Sequence, residues 1–146
     1  MRIPKTHYTG DTMKKDVAKL WIKALRSGKY KQGKWTLRNH NNSFCCLGVL
    51  CDIYNTERKK SKKKTLTVTK VNNLFDGKCY KYGSYACYLP PAVKKWAGIK
   101  TKNGQFNDVK NGEWYTLSGL NDGDFGRGSK SFDKIAAIIN ANIDEL

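Results

Sequence analysis

Ten consecutive residues, Phe44-Cys45-Cys46-Leu47-Gly48-Val49-Leu50-Cys51-Asp52-Ile53, carry one charge and nine apolar or small side chains. Leaving such a run in water would forfeit roughly 25 cal/mol for each Å² of apolar surface, so it belongs inside the folded chain. Polar residues precede it from Arg38 to Ser43 and a basic run follows from Arg58, which gives the segment sharp ends. Leu47, Val49, Leu50 and Ile53 cover most of a helix circumference, and Gly48 leaves room for a second element to approach closely. The pattern predicts a short buried helix from Cys46 to Asn55. Asp52, its one charge, is expected to cap or to pair with a basic residue of the first helix or hairpin, as buried carboxylates do.

Other elements follow from periodicity and turn chemistry. Met13, Val17, Leu20, Trp21, Ala24 and Leu25 share one side of a helix that Asp11 or Thr12 would cap and Gly28 would close, ending near Ser27. Ile22 interrupts its polar side, either as an exposed residue or as part of a contact. Ser131 caps a second amphipathic helix from Phe132 to about Asp144, with Phe132, Ile135, Ala136, Ile139 and Ile143 as its stripe. Leu89 to Gly98 reads as a short helix with proline in its first turn and glycine past its last. Lys29 to Arg38 and the residues into Phe44 read as strand, turn and return strand. Thr65 to Val71 and Lys78 to Tyr82 flank a turn at Asp76-Gly77. Asn103-Gly104 and Asn111-Gly112 mark further hairpin turns, with a strand from Glu113 to Leu117.

The fold class expected is α+β. Amphipathic helices lie near both ends, and a short buried central helix packs with a small, mostly antiparallel hairpin sheet. At 146 residues the chain suits one domain, over residues 11–146, with a loose segment at 1–10 and a basic loop at 56–65.

Charge narrows the choice of partner. There are 28 basic and 12 acidic side chains, for a net charge of +16. Residues 1–73 hold 18 basic and 4 acidic groups and residues 74–146 hold 10 and 8, so the excess sits in the leading half. Such a balance favours polyanions and disfavours DNA mimicry, which needs an acidic surface. Of the 28, 23 are Lys, which compositional drift could also produce. Lys lacks the planar fork with which Arg reads guanine, so sequence-specific base contacts are disfavoured.

Three groups make the candidate nucleic-acid surface. Lys15, Lys19, Lys23 and Arg26 fall together on the first helix, as a phosphate-tracking face or merely a solvated one. Lys31, Lys34, Trp35 and Arg38 interleave cations with rings, as single-strand binders do and as ordinary half-buried hairpins also do. Arg58, Lys59, Lys60, Lys62, Lys63 and Lys64 put six positive charges in seven residues, which predicts an exposed loop.

Catalytic and metal chemistry find little support. Five cysteines, an odd number, and a leading segment unlike a signal peptide indicate free thiols in a reducing cytosol. No apolar run reaches the length of a membrane span. His40 could approach Cys45 across a hairpin, but a thiol in an apolar segment stays protonated and inert. Cys45, Cys46 and Cys51 lack zinc-knuckle spacing. Asp122 to Gly128 has Arg127 where a calcium loop needs glycine and Asp133 where it needs glutamate, and it lacks a phosphate cradle's Gly-Lys-Ser/Thr ending. Neither metal nor cofactor is therefore expected. His40, Asp52, Asn121 and Asp122 remain as a possible functional polar cluster, and their convergence in one cleft would revive an enzyme.

Three stretches carry a family resemblance: Trp21 to Arg38, Cys45 to Asp52 as Cys-Cys-Leu-Gly-Val-Leu-Cys-Asp, and a tail combining Leu89-Pro90, Trp96-Ala97-Gly98, Leu120-Asn121-Asp122 and Phe132-Asp133-Lys134-Ile135-Ala136. Together they resemble a family of small uncharacterised proteins of tailed bacteriophages and prophages. The resemblance implies an accessory protein acting in the bacterial host cytoplasm, in host takeover or counter-defence, and brings no activity with it. The Lys run near residue 60 and the stretch Gly123 to Lys130 depart from the family pattern. Two functions stay open. One is binding of nucleic acid or a nucleoprotein, without sequence preference, through a basic face. The other is a protein-binding inhibitor or modulator of a host enzyme or defence system, with charge used to steer encounter.

Overall fold

The computed structural model describes residues 12–73, 77–123 and 128–146. The loose segment expected at 1–10, the cap at Asp11, the turn residue Asp76 and Asp124 to Arg127 of the glycine-rich stretch lie outside the described residues. The rest forms a small α+β domain of five helices, a mixed five-stranded sheet and a two-stranded sheet.

Helix α1 (Lys15–Arg26) buries Val17, Ala18, Trp21 and Leu25 and leaves Lys15, Lys19, Lys23 and Arg26 in solvent. It starts later than its hydrophobic pattern suggests, with Lys14 in the cap position and no side chain capping it. The Lys14 amide instead donates to the carbonyl of Ala97, 2.8 Å away, so tertiary pairing replaces the local cap. Ile22 is part of a contact: it is half-buried against the core on the side of α1 that faces the last helix.

The apolar decapeptide becomes β3 (Ser43–Phe44) and the start of α2 (Cys46–Lys60). All its residues are buried except Asp52, which is partly so. The helix continues past Asn55 into the basic run, which corrects the first half of the loop expected at 56–65: residues 56–60 are helical and 61–65 are not. Several contacts outweigh the repulsion among those charges. Cations in a last helical turn face the negative end of the helix dipole. The Arg58 guanidinium lies 5.7 Å from the Tyr54 ring centre, its Nε donates to the Lys64 carbonyl at 2.8 Å, and Lys60 pairs with Glu57 at 3.5 Å. Beyond the helix, the Asn55 side chain bonds both the amide and the carbonyl of Leu66, at 2.8 and 3.0 Å, and tethers the returning chain.

The larger sheet has the order β1-β3-β2-β5-β4, with β1 (Lys31–Gln32), β2 (Arg38–Asn39), β4 (Val68–Asn73) and β5 (Gly77–Tyr82). Its hairpins β2–β3 and β4–β5 are antiparallel, whereas β1 joins β3 in parallel. The expected strand-turn-return is therefore three short strands. The second sheet is a hairpin that pairs β6 (Gln105–Asn107) with β7 (Trp114–Thr116). Asn111-Gly112 lies in the connection between those strands, while Asn103-Gly104 turns the chain into β6 without closing a hairpin.

Helix α3 (Pro91–Ala97) carries proline at its start and a left-handed Gly98 at its end. Helix α4 (Leu117–Asp122) has no counterpart in the sequence expectations; Thr116 caps it by accepting from the Gly119 amide at 3.0 Å. Ser131 caps α5 (Phe132–Ala141) as its position suggests, and the chain then tightens into a 3-10 turn over Ile143–Glu145. That change comes at buried Asn142, whose side chain accepts from the Val109 amide at 2.9 Å and donates to Asp108 at 3.1 Å.

Everything is referred to α2 through Gly48. A Cβ at that position would overlap the carbonyl oxygen of Leu37, so the helix rests directly on the backbone leading into β2. Gly48→Ala should cost about 3 kcal/mol or more, since the clash is with backbone in a packed interior. Gly28→Ala, with open space around its Cβ, should cost only about 1 kcal/mol for its left-handed conformation. Urea unfolding of the two variants measures the contrast.

Candidate functional site

The fold sorts the basic residues into separate surfaces. Between α1 and α2 runs a groove of about 240 Å³ lined by Leu20, Ala24 and Ile53, with Lys23, Lys29, Lys60, Tyr30 and Glu57 around them. A shallower groove on the other flank of α1 is lined by Lys19, Lys23 and Arg26 with Asn140 of α5. Lys23 belongs to both, and Lys60, from the third group, comes beside the first-helix row. Lys59, Lys62, Lys63 and Lys64 are exposed around the same end of α2, whereas Lys15 is exposed at the start of α1.

Lys34 and Trp35 are placed elsewhere. The Trp35 amide donates to Asp122 Oδ1 at 3.0 Å, and the neighbouring Asn121 bonds the amide of Cys46, the first residue of α2. Fifteen helical residues at 1.5 Å each separate this end of α2 from the Lys60 end, about 20 Å. The sequence-derived set thus occupies two regions rather than one continuous face. Lys31 is exposed on the edge strand β1.

Arg38 is engaged in the sheet. Phe44, Arg38, Tyr80 and Lys70 stand opposite one another across four strands. The Arg38 guanidinium lies 5.3 Å from the Phe44 ring centre and 4.6 Å from that of Tyr80, with Lys70 Nζ 5.8 Å from the latter. Its Nε and Nη2 both donate to Asn42 Oδ1, at 3.0 and 2.8 Å. Such cation–π and hydrogen-bond contacts fix it as a partner of the rings.

The polar residues singled out from sequence do not converge. His40 is exposed in the β2–β3 turn. Asp52 accepts a hydrogen bond from the Tyr30 hydroxyl, not from a basic residue as expected. The cause is local: the Tyr30 ring stands edge-on to Phe44 at 5.1 Å, which carries its hydroxyl over α2. Burial, then the Asp52 carboxylate, pushes the Tyr30 hydroxyl to a higher pKa. Tyr82 is raised by burial and then the Asp52 charge, with Arg38 opposing, and its buried hydroxyl meets no hydrogen-bond geometry among the described residues.

Asn121 and Asp122 do come together, in a clamp. Asn121 is fully buried; its Oδ1 accepts from Gln32 Nε2 at 3.0 Å and the Cys46 amide at 3.2 Å. Its Nδ2 donates to the Gly33 carbonyl at 2.8 Å and Asp122 Oδ1 at 3.0 Å. Gln32 also donates to the Lys130 carbonyl at 2.7 Å and accepts from the Phe132 amide at 3.1 Å. Asn121 thereby satisfies a helix amide that Cys45, with no side-chain cap bond, leaves open. Gln32 and Gly33 were missed by sequence reasoning, since their partners lie about ninety positions away. The clamp also fixes Trp35, which holds a left-handed φ of 72° with its side chain about half exposed.

The three thiols of the apolar run, Cys45, Cys46 and Cys51, offer no nucleophile at neutral pH. Burial pushes Cys45 up to about 12, with the Asp122 charge adding to it and helix amides opposing, and raises Cys46 and Cys51 in the same sense. Among the described residues no group of three or more His, Cys, Asp or Glu could hold a metal ion.

These features define a small α+β protein with a buried central helix, a lysine-lined groove along one end of it and a clamped, ring-bearing loop at the other. Residues 13–143 match the family model described as Domain of unknown function (DUF8296), and the chain belongs to that family. No curated protein and no solved structure matches it. Among the described residues no helix is long and apolar enough to cross a membrane.

Two stability measurements follow from this chemistry. Unfolded Cys45 releases its proton near pH 9, whereas the folded chain holds it to about 12. A raised folded pKa means stability that is complete below pH 9 and lost as pH rises through that window, at about 1.4 kcal/mol per pH unit for this group. Urea unfolding between pH 7 and 11 should show a plateau, then a fall, and Cys45→Ala should reduce the slope by about one proton. Asn121→Ala, which strands the Cys46 amide and the Gly33 carbonyl, should cost about 2–4 kcal/mol at pH 7 in the same assay.

Proposed function

We propose that this protein binds nucleic acid, or a nucleoprotein, without strong sequence preference through the lysine-lined groove between α1 and α2 and the cations around it. The carrying observation is convergence: Lys23 and Lys29 line one groove with Lys60, more than thirty positions further along the chain, around an apolar floor. Lys19 and Arg26 extend the same cationic surface on the other flank of α1. Lysines act on phosphate as mobile point charges, which position a backbone without reading bases. Taken with the resemblance to tailed-phage proteins, the setting we propose is the bacterial host cytoplasm, in host takeover or counter-defence.

Anisotropy titration of a labelled 20-nucleotide strand tests this. Five phosphate contacts release enough counterions to weaken binding by about 10²-fold between 50 and 200 mM salt. Lys23→Gln with Lys60→Gln, both exposed, should lower the magnitude of the log–log salt slope by about one or more while lowering the melting temperature by only a few degrees, the size of the lost Lys60–Glu57 pair. Affinity indifferent to salt would sink the proposal.

One observation favours a protein partner instead. Val109 and Trp114, 58% and 57% exposed, stand on the β6–β7 hairpin in the charge-balanced half of the chain, and aromatic anchors of this kind mark protein interfaces. A complex that persists after nuclease digestion and depends on Trp114 would favour that reading.

A further inference from the structure

We infer that the open edge of β4 docks an extended, acidic segment of a partner protein, which joins the larger sheet as an added strand. The inference is independent of the lysine groove. β4 ends the strand order of its sheet, so one of its sides has no neighbouring strand. Its pairing with β5 fixes which backbone groups face that side. The Gly83 amide donates to the Thr67 carbonyl at 2.8 Å, in line with the register Val68↔Tyr82, whereas the Tyr82 amide turns away and donates to the Tyr85 carbonyl at 2.9 Å. Antiparallel pairs alternate between bonded and non-bonded, so Thr69 and Val71 bond β5 while Val68, Lys70 and Asn72 direct their amides and carbonyls outward. Among the described residues none of those outward groups has a hydrogen-bond partner. Val68, Thr69, Lys70 and Asn72 are also exposed, so no other described element covers the row.

Folded chains keep open edges short or interrupt them, because such edges template pairing with other chains. The opposite edge, β1, is two residues long. β4 runs for six residues in unbroken register, without proline, and includes β-branched Val68, Thr69 and Val71. Its one charge, Lys70, reaches back over the sheet, with Nζ 5.8 Å from the Tyr80 ring centre. Charge selects the occupant. β4 and β5 carry Lys70, Lys78 and Lys81 and no acidic side chain. A second copy of the chain, paired antiparallel through Val68, Lys70 and Asn72, would set Lys70 against Lys70 and join two molecules of net charge +16. Like charges opposite one another destabilise a strand pair. Carboxylates at alternate positions of an incoming strand meet these lysines favourably. Main-chain bonds then supply affinity and the lysines supply selection, the division of labour in strand addition.

Fluorescence anisotropy tests this with labelled peptides long enough to span β4: one alternating glutamate and valine, one alternating lysine and valine, and the glutamate peptide N-methylated throughout, which keeps its charge and loses its amides. Wild type should bind the first at least about tenfold more tightly than either of the others. Val68→Pro with Asn72→Pro removes two outward amides that take no part in the ladder to β5, so it should weaken the glutamate peptide about tenfold, lower the melting temperature by only a few degrees, and leave oligo(dT) affinity within about twofold. Lys70→Glu, which keeps the inference decidable if the proline variant folds poorly, should weaken the glutamate peptide severalfold and strengthen the lysine peptide. Sedimentation should show wild type as a monomer; a dimer abolished by the proline variant would give the edge to a second copy and overturn the inference. Equal binding of the methylated and unmethylated glutamate peptides would mean charge attraction alone and overturn it too. So would unchanged peptide binding by the proline variant, or no binding of the glutamate peptide by wild type.

Discussion

Helix α2 lies against the backbone of Leu37 at Gly48, and its first residue is bonded in three further directions. The Cys46 amide donates to Asn121 Oδ1, its carbonyl accepts from Trp21 Nε1 at 2.9 Å, and its Sγ donates to the Leu117 carbonyl at 3.5 Å. Within one turn of helix, the sheet, α1 and α4 are each fixed relative to the same few atoms. Interiors this dense transmit displacement rather than absorb it. The groove at the far end of α2 and the loop that carries Trp35 near its start are therefore both anchored to the same helix.

The parts of this arrangement that were legible in the sequence are those written locally. The apolar run, the stripe of α1, the Ser131 cap and the proline and glycine at the ends of α3 each depend on side chains within a few positions of one another. What could not be read depends on partners far along the chain. The extension of α2 through its lysines is supported by Arg58 on Tyr54 and by Asn55 on the returning Leu66, neither of which charge counting can see. Parallel β1 exists because Gln32 and Gly33 meet Asn121 and β3. Asp52 found a tyrosine hydroxyl because Tyr30 was turned by packing on Phe44. Of the candidate site, the cations and Trp35 were legible as residues, while their division between two ends of one helix was not.

The roles of the arginines bear on specificity. Arg38 is held between two rings with both its Nε and Nη2 on Asn42, and Arg58 is spent on Tyr54 and the Lys64 carbonyl. Guanidinium suits such planar, multiply bonded positions because its donors are pre-arranged. Lysine is left to face the groove. On the proposed reading, a surface supplied this way would attract phosphates over a range of geometries and would have few rigid donors with which to tell one base from another.

The clamp at Asn121 joins stability to presentation. Its acceptor caps the central helix, and its donor holds Gly33, two positions before Trp35, so the bonds that complete the core also set where the indole stands. An exposed tryptophan on a loose loop would lose rotamer and backbone freedom on meeting any partner, at about 1–2 kcal/mol for each backbone residue ordered. Here that ordering has already occurred during folding, with the left-handed conformation of Trp35 as its residue of strain.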